Sequence, residues 1–285
     1  THKYAAADPQ QGMPSTSLAS STGPVSLLQA SHLIRPDVEL LRQSSHADIE
    51  ATVARFSLND KQAEGFRFIA QGLTTVMSRQ HLPDPLRMFL TGPAGTGKSQ
   101  ILKAIQHFMK SRGCGTGLRV LSFCGSAATL VDGETVSRAF GFGIDPYQSL
   151  SQDSLAVLQD AWKDIFVLVI DEISTLGCEL LYLIDQRAKL IKGNNDFMGG
   201  MHFIVCGDLH QAAPIGATAL WKTPLSVTRF EAHAGRALWI AEINTSIFLT
   251  EIMRQRDEKE WAELLCGLRS GQCTIEDVRF LEARA

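Results

Sequence analysis

The sequence has no long apolar run. Its longest, Ile165 to Ile170, is far short of the about 20 residues a helix needs to cross a bilayer, so no membrane partner is expected. Nor does the N-terminal region carry an apolar stretch resembling a signal peptide, which points to a cytosolic or nuclear setting. The six cysteines (Cys114, Cys124, Cys178, Cys206, Cys266 and Cys273) contain no C-x-x-C pair, and none stands with His at a zinc-ligand spacing. A zinc ribbon and a thioredoxin-type redox pair are thereby excluded, and the thiols are expected to be reduced and structural. Carboxylates are missing from Pro85 to Val131, while Arg87, Lys98, Lys103, Lys110, Arg112 and Arg119 all fall in that window. It is either a basic neighbourhood for phosphates or a solvated helix face. The formal net charge of −3 argues against a protein that coats nucleic acid indiscriminately. What remains is a chain of 285 residues, 45% hydrophobic, long enough for one large domain with a substantial core.

Within that basic window stands Gly92-Pro93-Ala94-Gly95-Thr96-Gly97-Lys98-Ser99, which fits G-x-x-x-x-G-K-[ST] at every fixed position. A loop that wraps a triphosphate must turn its backbone N–H groups inward, and glycine permits the turns and the close approach. Lys98 then neutralises phosphate charge, and the Ser99 hydroxyl is placed for Mg²⁺. The flanks fit this reading. Arg87 to Thr91 is a short β-prone run, and Gln100 to Lys110 carries Ile101, Leu102, Ile105, Phe108 and Met109 at helical spacing. Strand, loop and helix follow in the required order.

Upstream, residues 1 to about 31 are rich in Ala, Ser, Gln, Thr and Pro without periodicity, a composition that buries too little apolar surface to offset chain entropy. Weak helical signals between His32 and Ala54 suggest a linker. The domain is therefore expected to run from residue 56 to 285, with residues 1–55 as a disordered segment and linker. Asn59 or Asp60 is a good N-cap for a helix with Phe66, Ile69 and Leu73 on its apolar stripe. In its first turn Gln62 is either a surface residue or a reader of the adenine N6/N7 edge.

Downstream, Leu118 to Phe123 reads as a strand followed by the small residues Cys124 to Ala128. These leave room for a ligand or serve close packing. Ile165 to Ile170 ends in Asp171-Glu172, as a strand buried on both faces would, delivering two acids to the ligand end of an open α/β sheet. Beside a phosphate loop the first acid holds Mg²⁺ and the second accepts the proton of an attacking water. Another buried run, Met201 to Cys206, leads to Gly207-Asp208-Leu209-His210-Gln211, with Gln211 placed to sense a γ-phosphate and Asp208 to orient it. Helices are expected over Ser151 to Trp162, Cys178 to Lys192, Asp257 to Leu268 and Thr274 to Glu282. Residues 213 to 245, with Pro214, Gly216, Pro224 and Gly235, read as irregular, and Ser246 to Leu249 as a last strand.

Taken together, GPAGTGKS at Gly92, DEIS at Asp171, FMGG at Phe197 leading into GDLHQ at Gly207, and LTEIMRQ at Leu249 followed by ELLCGLRSGQCTIED resemble the first motor domain of superfamily-one DNA helicases of the PIF (petite integration frequency) type. The likeness covers about Phe56 to Arg284. LRMFL before the loop and GRALW at Gly235 look most like the helicases of Helitron-type rolling-circle transposons. The resemblance implies an α/β, RecA-like P-loop NTPase fold with a mainly parallel sheet, and an ATP-dependent 5′-to-3′ DNA helicase of repair, recombination or telomere maintenance, nuclear or mitochondrial. ATP and Mg²⁺ are the implied cofactors. By this likeness Gln62 recognises adenine and Lys98 and Ser99 hold phosphates and Mg²⁺. Asp171 and Glu172 serve metal and general base, and Gln211 and Arg254 contact the γ-phosphate. Cys124, Gly125, Thr135, Ser137 and Phe140 lie in the segments that touch single-stranded DNA. Ser137 replaces a histidine usual in the family, and Ala212-Ala213 replace the usual Leu-Pro, which implies weaker coupling between DNA and ATP sites. A second RecA-like domain, with its arginine finger, is missing from the match. The competing expectation is a truncated transposon product that binds ATP or DNA without unwinding. A ring-forming assembly ATPase is disfavoured by Gln211 and by Arg254-Gln255.

Overall fold

The computed structural model describes residues 46–78, 84–255 and 258–283; the low-complexity segment anticipated over residues 1–31 lies outside them. Six strands form one sheet: β1 (Arg87–Thr91), β2 (Leu118–Ser122), β3 (Glu134–Thr135), β4 (Val167–Asp171), β5 (His202–Gly207) and β6 (Thr245–Phe248). Their order is β3-β2-β4-β5-β1-β6, and every neighbouring pair is parallel. Parallel pairing requires crossovers, and helices supply them on both faces.

On one face lie α1 (His46–Arg55), α2 (Asp60–Ser78) and α3 (Lys98–Ser111). Phe66, Ile69 and Leu73 of α2 and Ile101, Ile105 and Phe108 of α3 pack there against Met88, Leu90, Val167, Val169 and Ile204. The alternate strand residues, Phe89, Leu168, Ile170, Phe203 and Val205, meet Trp162, Leu181 and Ile184 on the opposite face. Those belong to α6 (Gln152–Trp162) and α7 (Cys178–Lys192). A period of two thus divides each central strand between two cores, which is why these strands read as continuous apolar runs. Two short helices, α4 (Gly125–Leu130) and α5 (Val136–Phe140), flank β3, and the chain continues through α8 (Phe230–Glu242), α9 (Lys259–Ser270) and α10 (Ile275–Glu282).

Two expectations need correction. The ordered body begins earlier than residue 56: in α1, Ile49 is buried in the core, Glu50 takes both hydrogen bonds of a fork from Arg67, and Asp48 pairs with Arg112. Residues 213 to 245 are also not irregular throughout, since α8 occupies thirteen of them. Gly235, read as a breaker, is instead where α8 crosses the start of α7, and a Cβ there would collide with the Cys178 carbonyl oxygen. Glycine in a helix costs about 0.5–1 kcal/mol relative to alanine, and the close crossing offsets it.

Candidate active site

The ends of β1, β4 and β5 meet at the phosphate loop. The loop follows β1 directly, and Gly97, at φ 85°, is the N-cap of α3. A side chain at Gly97 would strike the Gln62 amide nitrogen, so glycine there serves both the left-handed turn and the contact. Gln62 is 3% exposed. Its Oε1 accepts from the Asn59 N–H while the Asn59 side chain accepts from the Gln62 N–H, a reciprocal cap of α2 in which glutamine takes the N3 position. Its Nε2 donates to the Thr96 carbonyl at 2.9 Å. Gln62 is therefore not a surface glutamine; it braces the loop from one side.

The other side is braced by the segment after β6. The Met253 and Arg254 N–H groups both donate to the Gly95 carbonyl, at 2.8 and 3.2 Å, and the Asn59 amide reaches the Met253 sulfur at 3.3 Å. Arg254 thus has its backbone on the loop and its side chain exposed. Thr96, fully buried, closes the loop on itself through its hydroxyl to the Pro93 carbonyl.

Lys98 donates to the carbonyls of Gly92 at 2.8 Å and Pro93 at 3.0 Å. Burial pulls its pKa down, opposed by the negative charges of Asp208, Glu172 and Asp171. Those acids come from two strand ends. Asp171, 5% exposed, has a carboxyl pKa pushed up to about 6, first by burial and then by the Glu172 charge. Glu172 is half-buried and sits at φ 57°, ψ 47°, a left-handed conformation that costs a non-glycine residue about 1–2 kcal/mol. The Asp171 carboxylate accepting its N–H, and Thr175 bonding its carbonyl, hold it there.

Mg²⁺ characteristically takes one or two protein ligands and completes its shell with phosphate and water. The donor set fits: the buried Asp171 carboxylate is hard and anionic, the Ser99 hydroxyl heads α3, and no competing group of three or more His, Cys, Asp or Glu side chains exists among the described residues. Ser122, which pairs with Asp171 across the sheet, adds a buried hydroxyl without a hydrogen-bond partner among the described residues.

Asp208, 1% exposed at the end of β5, accepts from the His210 N–H, and its carbonyl accepts from the Gln211 N–H at 2.9 Å. Arg269 of α9 binds the same carboxylate through two nitrogens, at 2.7 and 2.9 Å. Burial pushes the Asp208 carboxyl up, but the Arg269 and His210 hydrogen bonds together with the Arg269 and Lys98 charges outweigh it and hold the group below the usual range. Sequence reasoning gave Arg269 no role. The available signal was indirect: a carboxylate at the end of a buried strand demands a cation.

The nucleic-acid candidates stand apart, around the ends of β2 and β3. Cys124, Gly125 and Ser137 are exposed and Thr135 is half-buried, its hydroxyl capping α5 at the Arg138 N–H. Phe140 is a correction. It is wholly buried, its ring 4.6 Å from that of Trp162, and it presents no surface to a strand of DNA. One turn of helix puts Ser137 and Arg138 outward and Val136, Ala139 and Phe140 inward.

The comparisons with known proteins agree with this geometry. Residues 57–279 match the family model described as PIF1-like helicase. The chain is 32% identical over 194 residues to the ATP-dependent DNA helicase RRM3 of Saccharomyces cerevisiae, covering 66% of this chain and 26% of that protein. It is 32% identical over 200 residues to the ATP-dependent DNA helicase PIF1 of Candida albicans, covering 67% and 22%. The match thus spans about a quarter of these relatives' length. Among solved structures, the Pif1 helicase of Candida albicans superimposes with a TM-score of 0.61 at 26% identity, over 78% of this chain and 46% of that one. The Bacteroides Pif1 helicase in complex with ADP-AlF3 and single-stranded DNA matches in fold, with a TM-score of 0.58, over 79% and 49%. With the family model matching most of its length and the phosphate loop, paired acids and Gln211 turn assembled at one sheet edge, the chain belongs to the PIF1-like helicase family and has the fold of its RecA-like motor domain.

Proposed function

We propose that this chain is the ATP-binding and ATP-hydrolysing half of a DNA helicase motor. The observation that carries the reading is the convergence of Lys98, Asp171, Glu172 and Asp208 on a loop braced from both sides by Gln62 and by the Arg254 backbone. In that role the loop amides and Lys98 bind the β- and γ-phosphates, and Ser99 and Asp171 hold Mg²⁺, which neutralises phosphate charge. Glu172 accepts the proton of the attacking water, and Gln211 and Arg254 address the γ-phosphate. Gln62, with one amide hydrogen and one lone pair uncommitted, has the donor and acceptor that adenine requires.

DNA is proposed to lie over the exposed edge at Cys124, Gly125, Thr135 and Ser137. Its identity as the substrate is supported by the named activity of the relatives, ATP-dependent DNA helicases. Movement from 5′ to 3′, a role in repair, recombination or telomere maintenance, and a nuclear or mitochondrial setting belong to the same proposal. Translocation needs two domains whose separation changes when the γ-phosphate leaves. A second RecA-like domain is accordingly proposed as the partner that closes the ATP cleft with an arginine finger, a contribution of about 10³–10⁵ in rate.

Calorimetry with ATP–Mg²⁺ and a strand-displacement assay on a tailed duplex test the reading. The 285-residue polypeptide is expected to bind ATP, to hydrolyse it slowly with little stimulation by DNA, and to unwind only when a second RecA-like domain is supplied. Absence of nucleotide binding would refute the motor assignment, and robust unwinding by the monomeric polypeptide would refute the need for a partner domain.

A further inference from the structure

Asp208 is a buried carboxylate whose charge reaches the same lysine as those of Asp171 and Glu172. Burial favours the protonated form of such a carboxylate unless a cation holds it ionised. Arg269 does so in the bidentate geometry that suits a planar guanidinium to a carboxylate. Nothing local explains this contact, because the two residues belong to different elements and lie far apart in sequence. Its consequence is local, however, at the turn that follows. The carboxylate that Arg269 fixes also takes the His210 N–H, and the Asp208 carbonyl takes the Gln211 N–H. The turn carrying Gln211 is therefore hung from Arg269 by a continuous chain of hydrogen bonds.

Arg269 lies in the last turn of α9, and α9 is joined to α10 as a unit. The Gln272 N–H donates to the Gly267 carbonyl, Thr274 and Asp277 form a capping box at the start of α10, and the Trp261 and Phe280 rings pack at 6.2 Å. We propose that Arg269 is a positioning residue for ATP hydrolysis: through Asp208 it sets the place of Gln211 and ties the α9–α10 pair to γ-phosphate recognition. This rests on the motor reading above.

The tie and the role are tested separately in the 285-residue chain. In the unliganded protein, Arg269→Ala is expected to speed hydrogen exchange at the His210 and Gln211 amides by about tenfold or more, with Arg269→Lys intermediate. Unchanged exchange there overturns the tie whatever the chain binds. For the role, Arg269→Ala is expected to leave ADP affinity within about twofold while lowering affinity for a non-hydrolysable ATP analogue and the single-turnover rate by about tenfold or more. Arg269→Lys should recover part of the loss. Gln211→Ala should show the same discrimination between ATP analogue and ADP, and the double variant should be no worse than Gln211→Ala alone. Additive losses, or equal loss of both nucleotides, overturn the role while leaving the motor reading intact. A wild-type chain that binds neither nucleotide sinks the motor reading itself. Where Arg269→Ala does not fold, the neutral pair Asp208→Asn with Arg269→Gln carries the same test, and wild-type-like discrimination between ATP analogue and ADP in it overturns the proposal.

Discussion

Two stretches of one sheet edge differ sharply in how they hold their candidate residues. Where β1, β4 and β5 end, Gln62, Asp171 and Asp208 are buried, and Gln62 and Asp208 are fixed by partners far away in sequence, the Thr96 carbonyl and the Arg269 guanidinium. Where β2 and β3 end, Cys124, Gly125 and Ser137 are exposed, and the side-chain bonds at Cys124 and Gly125 themselves are local, between Cys124 and Ser126 and from Thr129 to the Gly125 carbonyl. The long-range bonds of this region fall on the residues behind them, from Gln106 to the Val131 carbonyl and from Trp162 to the Ala139 carbonyl. Polar groups already taken out of water can be aimed at charge that develops during reaction without reorganising. A ligand that must slide is better served by a surface that commits little to any one position. The proposed chemical half is rigid and specific; the proposed DNA half is open.

If that division is right, the largest single effect comes from Glu172→Gln. The amide cannot accept a proton, so ATP turnover should fall by about 10²–10⁴ while calorimetric nucleotide affinity stays near wild type. Equal loss of both would make Glu172 a structural residue. Lys98→Ala comes next, since losing a charge-assisted phosphate contact costs about 1.5–3 kcal/mol, a fall in nucleotide affinity of about ten- to a hundredfold by the same titration.

Asp171 supplies a pH test. Its pKa rises from 3.8 to about 6 on folding, so between those values the native state binds its proton more tightly than the unfolded chain does. The group therefore weakens the fold as pH rises through that window, and the penalty is complete above it. Asp171→Asn should stabilise the unliganded chain by about 1–3 kcal/mol at pH 7 and by almost nothing at about pH 3, below the unfolded value, as read from urea unfolding at both values. It should also lose Mg²⁺-dependent nucleotide affinity. The smallest effects are expected on the open side. Cys124→Ser and Ser137→Ala should change stability by no more than about 0.5 kcal/mol, leave nucleotide affinity untouched, and weaken single-stranded DNA binding measurably by fluorescence anisotropy. A large loss of stability or nucleotide affinity in either would erase the contrast.

The phosphate loop, the buried strands and their acids were legible in the sequence because each is a short-range pattern: a fixed spacing, or an apolar run ending in charge. Helix α8 was hidden by Gly235, since a residue that usually breaks helices is here the point of contact with the Cys178 carbonyl. Phe140 was misjudged for the converse reason. Resemblance marks a segment, but the helical phase of α5 decides which of its side chains face out. Arg269 was invisible because its meaning lies in a contact to another element, and no local periodicity reports a partner 61 positions away.

The order of the strands has a consequence for synthesis. The strand that carries the phosphate loop is made early, yet its two neighbours, β5 and β6, come late: Met88 waits for Ile204 and Thr245. With translation at roughly 5–20 residues per second, the interval between β1 and β6 is about 10–30 s. During that time the loop has neither its Leu249 wall nor the Met253 and Arg254 amides that hold Gly95. A chain paused before residue 245 would display β1 as an unpaired edge, open to association with other nascent chains. Ribosome-bound intermediates of graded length should acquire protease resistance at the loop abruptly, once β6 and the segment that follows it have cleared the exit tunnel.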